Sequence, residues 1–204
     1  MNRRMMMAYI MSHQSRLPAE FQEVEYIESS GTQYIDTGVQ YGSTKKVIAD
    51  IQYLSINDFQ INGIYEGSSR RWQFGIASNN FIGGIGNYGP IMGVADTNRH
   101  TFVIDLLNKQ YGYDGNITTD TRVTIGDSNK SFLLFVRYNS NNVGPANFCS
   151  QKLYSCQFYD SNVLVRDFVP CYRKSDNVIG LYDLVNGVFY TNAGTGTFIV
   201  GGNV

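Results

Sequence analysis

The segment Lys46–Leu54, KVIADIQYL, decides the fold class because its apolar and polar side chains alternate. Every second position carries an apolar residue, and these are Val47, Ala49, Ile51 and Tyr53. Asp50 and Gln52 stand between them. A period of two residues is that of a β-strand with one face buried and the other in water. The segment therefore predicts a strand whose apolar face lies in a core.

Segments further along the chain repeat this period. Arg71–Ala77, RWQFGIA, and His100–Leu107, HTFVIDLL, both alternate apolar with polar residues. Ser131–Asn139, SFLLFVRYN, begins with residues that are apolar on both faces, which predicts a central strand. No segment sustains the i, i+3, i+4, i+7 pattern of a long amphipathic helix.

Turn signals separate these segments. Asp114-Gly115 and Asn186-Gly187 each lie between apolar or aromatic residues. Such pairs predict two-residue hairpins with a type I′ turn, because both central positions of that turn need a positive φ. Similar signals recur roughly every eight to twelve residues, which is typical of all-β domains. The sequence thus predicts an all-β fold in which two antiparallel sheets pack as a jelly-roll sandwich.

Composition narrows the function classes. The chain has 204 residues with 15 Tyr, 12 Phe, 21 Gly and a net charge of -1. That charge offers no long-range attraction for nucleic acid, and without a run of about 18 apolar residues we expect no membrane insertion. Cys149, Cys156 and Cys171 show neither a CxxC spacing nor a neighbouring histidine. We expect three reduced, mostly buried thiols in a reducing cytoplasm and no zinc site, with one disulfide and a leftover thiol as the alternative.

The segment Phe81–Gly89, FIGGIGNYG, contains the Gly-x-Gly-x-x-Gly spacing of dinucleotide-binding folds. That spacing binds a pyrophosphate only where it ends a strand and opens a helix. Pro90 follows at once, and the next residues show no helical pattern. We therefore interpret these glycines as strand-end and loop residues of a sandwich.

The N-terminal arm, Met1–Arg16, differs from the rest of the chain. It contains three arginines, no acidic residue, and five methionines within the first eleven positions. Methionine surfaces adapt to partners, so the arm is a candidate docking segment, and a frayed tail is the alternative. Its short apolar patch lacks the cleavage site of a signal peptide. We expect a single domain over residues 17–204.

Two long segments carry a family resemblance. Leu17–Val39, LPAEFQEVEYIESSGTQYIDTGV, and Leu153–Gly202, which includes LYSCQFYDSNVLVRDFVPCYRKSDNVIGLYDLVNGVFYTN, resemble a LamG-like, concanavalin A-like sandwich domain. That domain recurs in structural proteins of phages and prophages of gut bacteria. Arg99–Gly115, RHTFVIDLLNKQYGYDG, is similar to its strand and hairpin ending in Tyr-x-Asp-Gly. Residues 40–98 match only in general character.

The resemblance implies a jelly-roll whose terminal segments pair, in a virion protein made in the bacterial host cytoplasm. It implies a non-catalytic attachment module that binds a host cell-surface glycan. The alternative is an architectural protein that decorates a capsid or tail and binds only other virion proteins through the arm. We expect a homo-oligomer with closed symmetry, which is the default for such assemblies. A trimer is one candidate, since virion fibres are often trimers.

A glucanase-type glycoside hydrolase is the more distant alternative. Glucanases of this fold place their carboxylates on one strand in a Glu-x-Asp-x-x-Glu run, and no such run occurs here. Four of the five glutamates fall within Glu20–Glu28. The histidines are His13 in the arm and His100 before a predicted strand, a position that favours a structural role. We expect no catalytic residues.

Glycan binding needs aromatic faces with Asn, Gln and Arg side chains around a shallow groove. The candidate glycan-binding residues are Arg71, Gln73, Asn87, Tyr88, Arg137, Tyr138 and Asn139, with Tyr65 and Arg70 nearby. Trp72 alternates with Phe74 and Ile76, so we assign it to the core. Arg71 and Gln73 then face the opposite surface.

Calcium is the one metal for which the turns supply ligands. It prefers oxygen from Asp, Asn and backbone carbonyls, as at the rim of many LamG-like domains. The candidate ligands are Asp114, Asn116 and Asp120, with Asp127 as a further turn aspartate. Since Asp-Gly turns also form without metal, a purely structural role for these residues is the alternative.

Overall fold

The computed structural model describes residues 16–56, 59–141 and 144–204. Within these ranges the chain forms β-strands and turns, with no helix, so the all-β prediction is confirmed. None of the described residues belongs to a helix with the length and hydropathy needed to cross a membrane. The proposed arm lies outside the described residues except for Arg16, which forms an ion pair with Glu23.

The strands of the described ranges form three sheets. The large sheet contains β1 (Phe21–Glu23), β2 (Ile27–Ser30), β4 (Lys45–Tyr53), β9 (Arg99–Asp105), β10 (Gln110–Tyr113), β11 (Asn116–Thr119), β15 (Ser150–Asp160), β16 (Val163–Arg173), β17 (Ile179–Asp183), β18 (Val188–Thr191) and β19 (Ile199–Val200). The six-stranded sheet contains β5 (Gln60–Tyr65), β6 (Arg71–Ala77), β7 (Asn80–Ile85), β8 (Ile91–Val94), β13 (Arg137–Asn139) and β14 (Gly144–Ala146). A two-stranded sheet pairs β3 (Ile35–Gln40) with β12 (Ser131–Leu134).

The large sheet is built around β4, the strand predicted from KVIADIQYL. Its order is β11-β10-β9-β4-β15-β16-β17-β18, and β4 pairs antiparallel with β9 and β15. The predicted apolar face is buried, from Val47 at 0% exposure to Tyr53 at 1%. β2 pairs with β15 and β19, and β1 pairs with β16, so the first and last strands lie in the same sheet.

The chain ends meet beside this pairing. Val24 forms an isolated bridge with Asn203, and the Glu25 amide donates to the Gly202 carbonyl at 2.8 Å. The Val204 amide donates to the Glu23 carbonyl at 3.2 Å. The expected pairing of terminal segments is therefore confirmed.

The six-stranded sheet packs face to face with the large sheet. Its order is β14-β13-β5-β6-β7-β8, and all its pairs are antiparallel except β5 with β13, which is parallel. Trp72 is fully buried and contacts Phe158 of the opposite sheet edge to face, with ring centroids 5.6 Å apart. Phe74 stacks on Phe102 at 5.4 Å. These aromatic contacts form the core of a sandwich, as predicted.

The segment SFLLFVRYN is not one central strand. It divides into β12, which pairs with β3, and β13, which joins the six-stranded sheet. Phe135 separates the two strands with a φ of 69°, a conformation that is rare for a bulky residue. All residues from Phe132 to Val136 are buried, so the apolar run reflects a chain that crosses the core between sheets.

A buried polar network holds this crossing. The Asn62 side-chain oxygen accepts from the Phe135 amide at 2.6 Å and from the Gln151 side chain at 2.9 Å. The Asn62 amide group donates to Gln151 at 2.9 Å and to the Tyr53 hydroxyl at 3.2 Å. Asn62 belongs to the six-stranded sheet and its partners Gln151 and Tyr53 to the large sheet. The network therefore bonds the two layers as well as the crossing segment.

The two predicted hairpin turns have different outcomes. Asp114 and Gly115 join β10 to β11 and have φ values of 49° and 79°, which confirms the type I′ prediction. The turn at Asn186-Gly187 has four residues, and only Gly187 has a positive φ, so that prediction was wrong. The longer turn closes around the buried Asp183 carboxylate, which accepts from the Val185 amide at 3.1 Å.

The three cysteines are free and buried, as expected. Cys149 and Cys156 belong to the main core. Cys171 lies in a second cluster with Leu17, Phe21 and Val169. Burial raises the pKa of Cys171 to about 12 and also raises the pKa of the other two thiols.

Candidate functional site

The candidate site lies on the face of the six-stranded sheet that points away from the core. Along β6, Trp72, Phe74 and Ile76 face the core and are fully buried, as predicted for Trp72. Arg71 and Gln73 alternate with them and therefore face outward. On β5, Tyr65 is the register partner of Arg71. On β13, Arg137 is the partner of Gly63, which pairs with Gln73 on the other side.

These outward residues form what we call the arginine cluster, made of Tyr65, Arg71, Gln73 and Arg137. The guanidinium carbon of Arg71 lies over the Tyr65 ring at 5.4 Å from its centroid. The guanidinium carbon of Arg137 lies over the same ring at 4.9 Å. A ring whose π-face attracts cations thus holds two guanidinium groups near each other.

Neutral groups bind Arg137. Its terminal nitrogens donate to the Asn147 side-chain oxygen at 2.7 Å and to the Gln73 side-chain oxygen at 3.4 Å. Burial lowers the pKa of Arg137, and the charge of Arg71 lowers it further, while Tyr65 opposes both effects. The Nε atoms of Arg71 and Arg137 are shielded from solvent and have no hydrogen-bond partner among the described residues.

Glycine provides the space for the cluster. The Gln73 side chain lies across Gly84, where a Cβ atom would come within 2.3 Å of it. A Cβ atom on Gly89 would lie 2.7 Å from the terminal nitrogen Nη1 of Arg71. Both glycines belong to the segment FIGGIGNYG. That segment forms β7 and the turn after it, which agrees with our interpretation of strand-end and loop glycines.

The other predicted glycan-binding residues do not all join the cluster. Asn87 and Tyr88 lie in the adjoining turn, on a small cavity of about 220 Å³ shared with Asp120 and Arg122. The Asn87 side-chain oxygen accepts from the Thr124 amide at 2.9 Å, which indicates a structural role in that turn.

Two further candidates on β13 and the nearby Arg70 are also engaged elsewhere. Tyr138 faces the opposite side of β13 from Arg137 and receives the Lys130 ammonium over its ring at 5.1 Å. Asn139 is buried, and its side-chain oxygen accepts from the Asn141 amide at 3.0 Å. Arg70 forms an ion pair with Glu66 at 3.6 Å.

Sequence reasoning missed Asn147, which orients Arg137. Asn147 has a φ of 63°, and this left-handed conformation follows β14 immediately. Asparagine tolerates that conformation better than most residues, but its occurrence after Gly-Pro-Ala carries no signal of a contact with Arg137. Only the pairing of β13 with β14 brings the two residues together.

The candidate calcium ligands are not brought together. Asp114 lies in the turn of the β10–β11 hairpin, while Asp120 follows the last residue of β11 at the other end. The Asp120 carboxylate binds the Arg122 guanidinium through two hydrogen bonds of 2.9 and 2.7 Å. Asn116 is exposed on β11, and Asp127 is exposed in a loop. Among the described residues no group of three or more His, Cys, Asp or Glu side chains is arranged to hold a metal ion.

Asp114 instead binds His100. The His100 Nδ1 atom lies 2.5 Å from the Asp114 carboxylate, and Nε2 lies 2.8 Å from the Asp96 carboxylate. Burial lowers the pKa of His100, but the hydrogen bonds to both aspartates outweigh it and raise that pKa above its ordinary value. The pKa of each aspartate is lowered in turn. His100 thus connects the loop before β9 to the hairpin, which fits a structural role.

A larger cleft of about 480 Å³ lies between the β16–β17 turn and the loop after β18. Its polar groups are bonded within the protein. Asn192 accepts from the Tyr34 amide at 3.1 Å and donates to the Gly196 carbonyl at 3.0 Å. Asp176 forms an ion pair with Arg173 at 2.7 Å. The arginine cluster is the stronger candidate because its charges lack such partners.

Comparison with known proteins gives one distant similarity. No protein-family model matches the chain. The chain is similar to botulinum neurotoxin type E of Clostridium butyricum, with 24% identity over 178 residues. The match covers 86% of this chain but only 13% of the neurotoxin. At this identity the similarity does not assign the chain to a family.

Proposed function

We propose that this protein is a non-catalytic sandwich module that binds a glycan on a host cell surface, as an attachment component of a virion. The observation that carries the proposal is the arginine cluster. On the outward side of the sheet it places a tyrosine ring and two guanidinium groups, all half-buried, while the Gln73 amide is only 4% exposed and orients Arg137. Sites that hold sugars combine these groups, because hydrogen bonds fix the hydroxyls and apolar faces cover the C–H surfaces.

The positions of the buried carboxylates support a binding role over catalysis. A retaining glycosidase needs two carboxyl groups about 5 Å apart beside the substrate. Asp105 accepts from the Asn108 amide at 2.9 Å, and Asp183 accepts from the Asp167 amide at 3.0 Å. Asp105 and Asp183 therefore bond to backbone amides of the large sheet, and the other two buried carboxylates among the described residues pair with arginines, Glu23 with Arg16 and Asp120 with Arg122.

The assignment to a virion is supported by the sequence resemblance and not by the arginine cluster. It rests on the resemblance of Leu17–Val39 and Leu153–Gly202 to LamG-like domains of phage structural proteins.

A glycan array followed by titration calorimetry tests the proposal. We expect retention of at least one bacterial or host surface glycan by the unaltered protein, and loss of that binding in Arg71→Ala and Tyr65→Ala. Arg173→Ala is the matched control, because it removes one positive charge from the large sheet. Undiminished binding by Arg71→Ala would place the glycan elsewhere, and absence of binding to any glycan would refute the proposal.

A specific observation favours the architectural alternative as a second candidate. β8 is an edge strand of the six-stranded sheet, and its Ile91 and Val94 are 68% and 79% exposed. Exposed apolar edge strands pair readily with another chain. In this alternative the edge binds a virion protein or a second copy, and Ile91→Lys with Val94→Lys would abolish co-purification with capsid or tail protein. Deletion of Met1–Arg16 tests the arm in the same assay.

A further inference from the structure

Building on the proposed function, we infer that the glycan bound at the arginine cluster is acidic. Its carboxylate or sulfate group pairs with Arg71 beside Arg137, while the neutral part of the sugar contacts the surrounding face of the sheet. The inference names the class of glycan, which the proposal of attachment leaves open.

Arg71 and Arg137 differ from the other arginines of the described chain. Each of the others forms an ion pair with a carboxylate, and these are Arg16, Arg70, Arg99, Arg122, Arg166 and Arg173. Within residues 16–56, 59–141 and 144–204, neither Arg71 nor Arg137 has a carboxylate within ion-pair distance. The two arginines without a counter-charge are therefore neighbours, held over one tyrosine ring.

The hydrogen bonds of Arg137 leave its charge in place. Its two acceptors, Asn147 and Gln73, are neutral amides. They fix the orientation of the guanidinium without cancelling its charge. A guanidinium does not lose its proton in proteins, so two positive charges persist on this face.

The Arg71 side chain makes no hydrogen bond to the described residues. Its position is nevertheless defined, by the Tyr65 ring on one side and by the space above Gly89 on the other. A guanidinium held in place with unused donors is preorganised for an oxyanion, to which it can donate two parallel hydrogen bonds. An anion would also relieve the repulsion between the two arginines.

Among the arginines of the described chain, unpaired positive charge is limited to Arg71 and Arg137. The chain has a net charge of -1, and the neighbouring Arg70 and Arg122 are already paired with Glu66 and Asp120. A polyanion such as nucleic acid needs a stripe of unpaired cations along its backbone. Two adjacent cations fit a single acidic group on a sugar.

The test uses a glycan array that carries uronate- and sulfate-bearing glycans, each beside its methyl-esterified or desulfated form. We expect binding to the acidic forms, with about tenfold or greater loss on esterification or desulfation, because charged hydrogen bonds exceed neutral ones by this order. Arg71→Gln should reduce binding of the acidic form by a similar factor, so that the variant no longer prefers the acidic form over the neutral one. Arg137→Lys keeps the charge but removes the planar fork, and should weaken binding by a smaller factor.

The controls separate the inference from the proposed function. Arg173→Gln changes the net charge equally and should bind like the unaltered protein. Equal binding of acidic and neutral forms would overturn the inference and leave glycan attachment intact. If no glycan binds, while inorganic sulfate still shifts the Nε–H resonances of Arg71 and Arg137 in NMR spectra, the proposed function fails and the cluster is an anion site of another kind. If sulfate shifts neither resonance and no glycan binds, both fail.

Discussion

At the scale of single residues, Asn62 shows how one buried amide can hold both layers of a sandwich. It is fully buried, and its oxygen and nitrogen bond to partners on three other segments. Buried polar groups stabilise a fold only when all of them are satisfied, and the loss of one member leaves the rest unpaired.

We predict that Asn62→Ala lowers the free energy of unfolding by about 3 kcal/mol, because the Phe135 amide and the Gln151 side chain lose their partner in the core. Urea unfolding followed by tryptophan fluorescence measures the change. Asn80→Ala is the matched control, since Asn80 lies on β7 of the same sheet and its side chain bonds only to the Ser78 carbonyl at the surface. Equal losses in the two variants would argue against the network.

A second prediction concerns the pH dependence that His100 confers. Its pKa is raised in the folded protein above the ordinary value of 6.5, so the stabilisation is present below pH 6.5 and is lost as the pH rises through the folded-state pKa. The pKa values of Asp96 and Asp114 are lowered from 3.8, so their share is present above that pH and is lost in stronger acid. The combined contribution is therefore largest between about pH 4 and pH 6.5.

Unfolding free energies of the unaltered protein and His100→Gln, measured at pH 5.5 and pH 8.5, test this. The difference between the two proteins should be larger at the lower pH. A difference that stays constant would mean that the two aspartates do not hold a charged imidazole.

The arginine cluster shows which part of the candidate site the sequence predicts and which part it does not. The alternation of RWQFGIA places Arg71 and Gln73 on the outward face, and the structure agrees. The approach of Arg137 depends on the parallel pairing of β13 with β5, which no local pattern records. The sequence also does not reveal that Arg71 and Arg137 lack a carboxylate partner, because the chain has enough aspartates and glutamates to pair with every arginine.

At the scale of strands and turns, glycine is an incomplete guide to hairpins. Asp114-Gly115 was predicted correctly, but two other two-residue turns contain no glycine. Ser78 and Asn79 join β6 to β7 with φ values of 51° and 60°, and Ser161 and Asn162 join β15 to β16 with values of 50° and 65°. The register of the long strands imposes these conformations, since asparagine and serine prefer them less than glycine does.

The double substitution Ser78→Asn with Asn79→Gly should therefore raise the free energy of unfolding by about 1 kcal/mol, because it supplies the residues that a type I′ turn favours. Gly115→Ala provides the opposite test. A Cβ atom there would meet nothing within 4 Å, so any loss reports the positive φ alone. Thermal denaturation of both variants gives the comparison, and a stabilising Gly115→Ala would contradict the argument.

The division of SFLLFVRYN marks the limit of period-based prediction. A buried run on both faces fits a central strand and equally fits a segment that passes between two layers. The deciding feature is the amide of Phe135, which binds Asn62 from a strand that lies far away in sequence.

At the scale of the whole molecule, two clusters of buried residues lie on opposite faces of the large sheet. The main core contains Cys149 and Cys156, and the second cluster contains Cys171. All three thiols are buried, and their raised pKa values keep them protonated near neutral pH. Since the thiolate is the reactive form, burial protects the thiols in two ways: it excludes reagents, and it keeps the thiols protonated.

We predict that none of the three thiols reacts with a chromogenic disulfide reagent at pH 8 in the folded protein, and that all three react together in denaturant. Free glutathione under the same conditions calibrates the reagent. If Cys171 reacts first in low denaturant, as followed by mass spectrometry of each site, the second cluster opens separately from the main core. Rapid reaction of all three without denaturant would contradict their burial.

The pairing of Val24 with Asn203 and the contact of the Gln22 side chain with the Val204 carbonyl at 3.5 Å place the end of the chain beside the first strand. Leu17 precedes Gln22 by five residues, so a linker of about six residues can join Val204 to Leu17 once the arm is removed. A circular permutant reopened between Asp114 and Gly115 should then keep the parent's circular-dichroism spectrum. For the same reason the whole sandwich can be grafted into a surface loop of another protein, with short linkers that run from Leu17 and from Val204 to the host backbone.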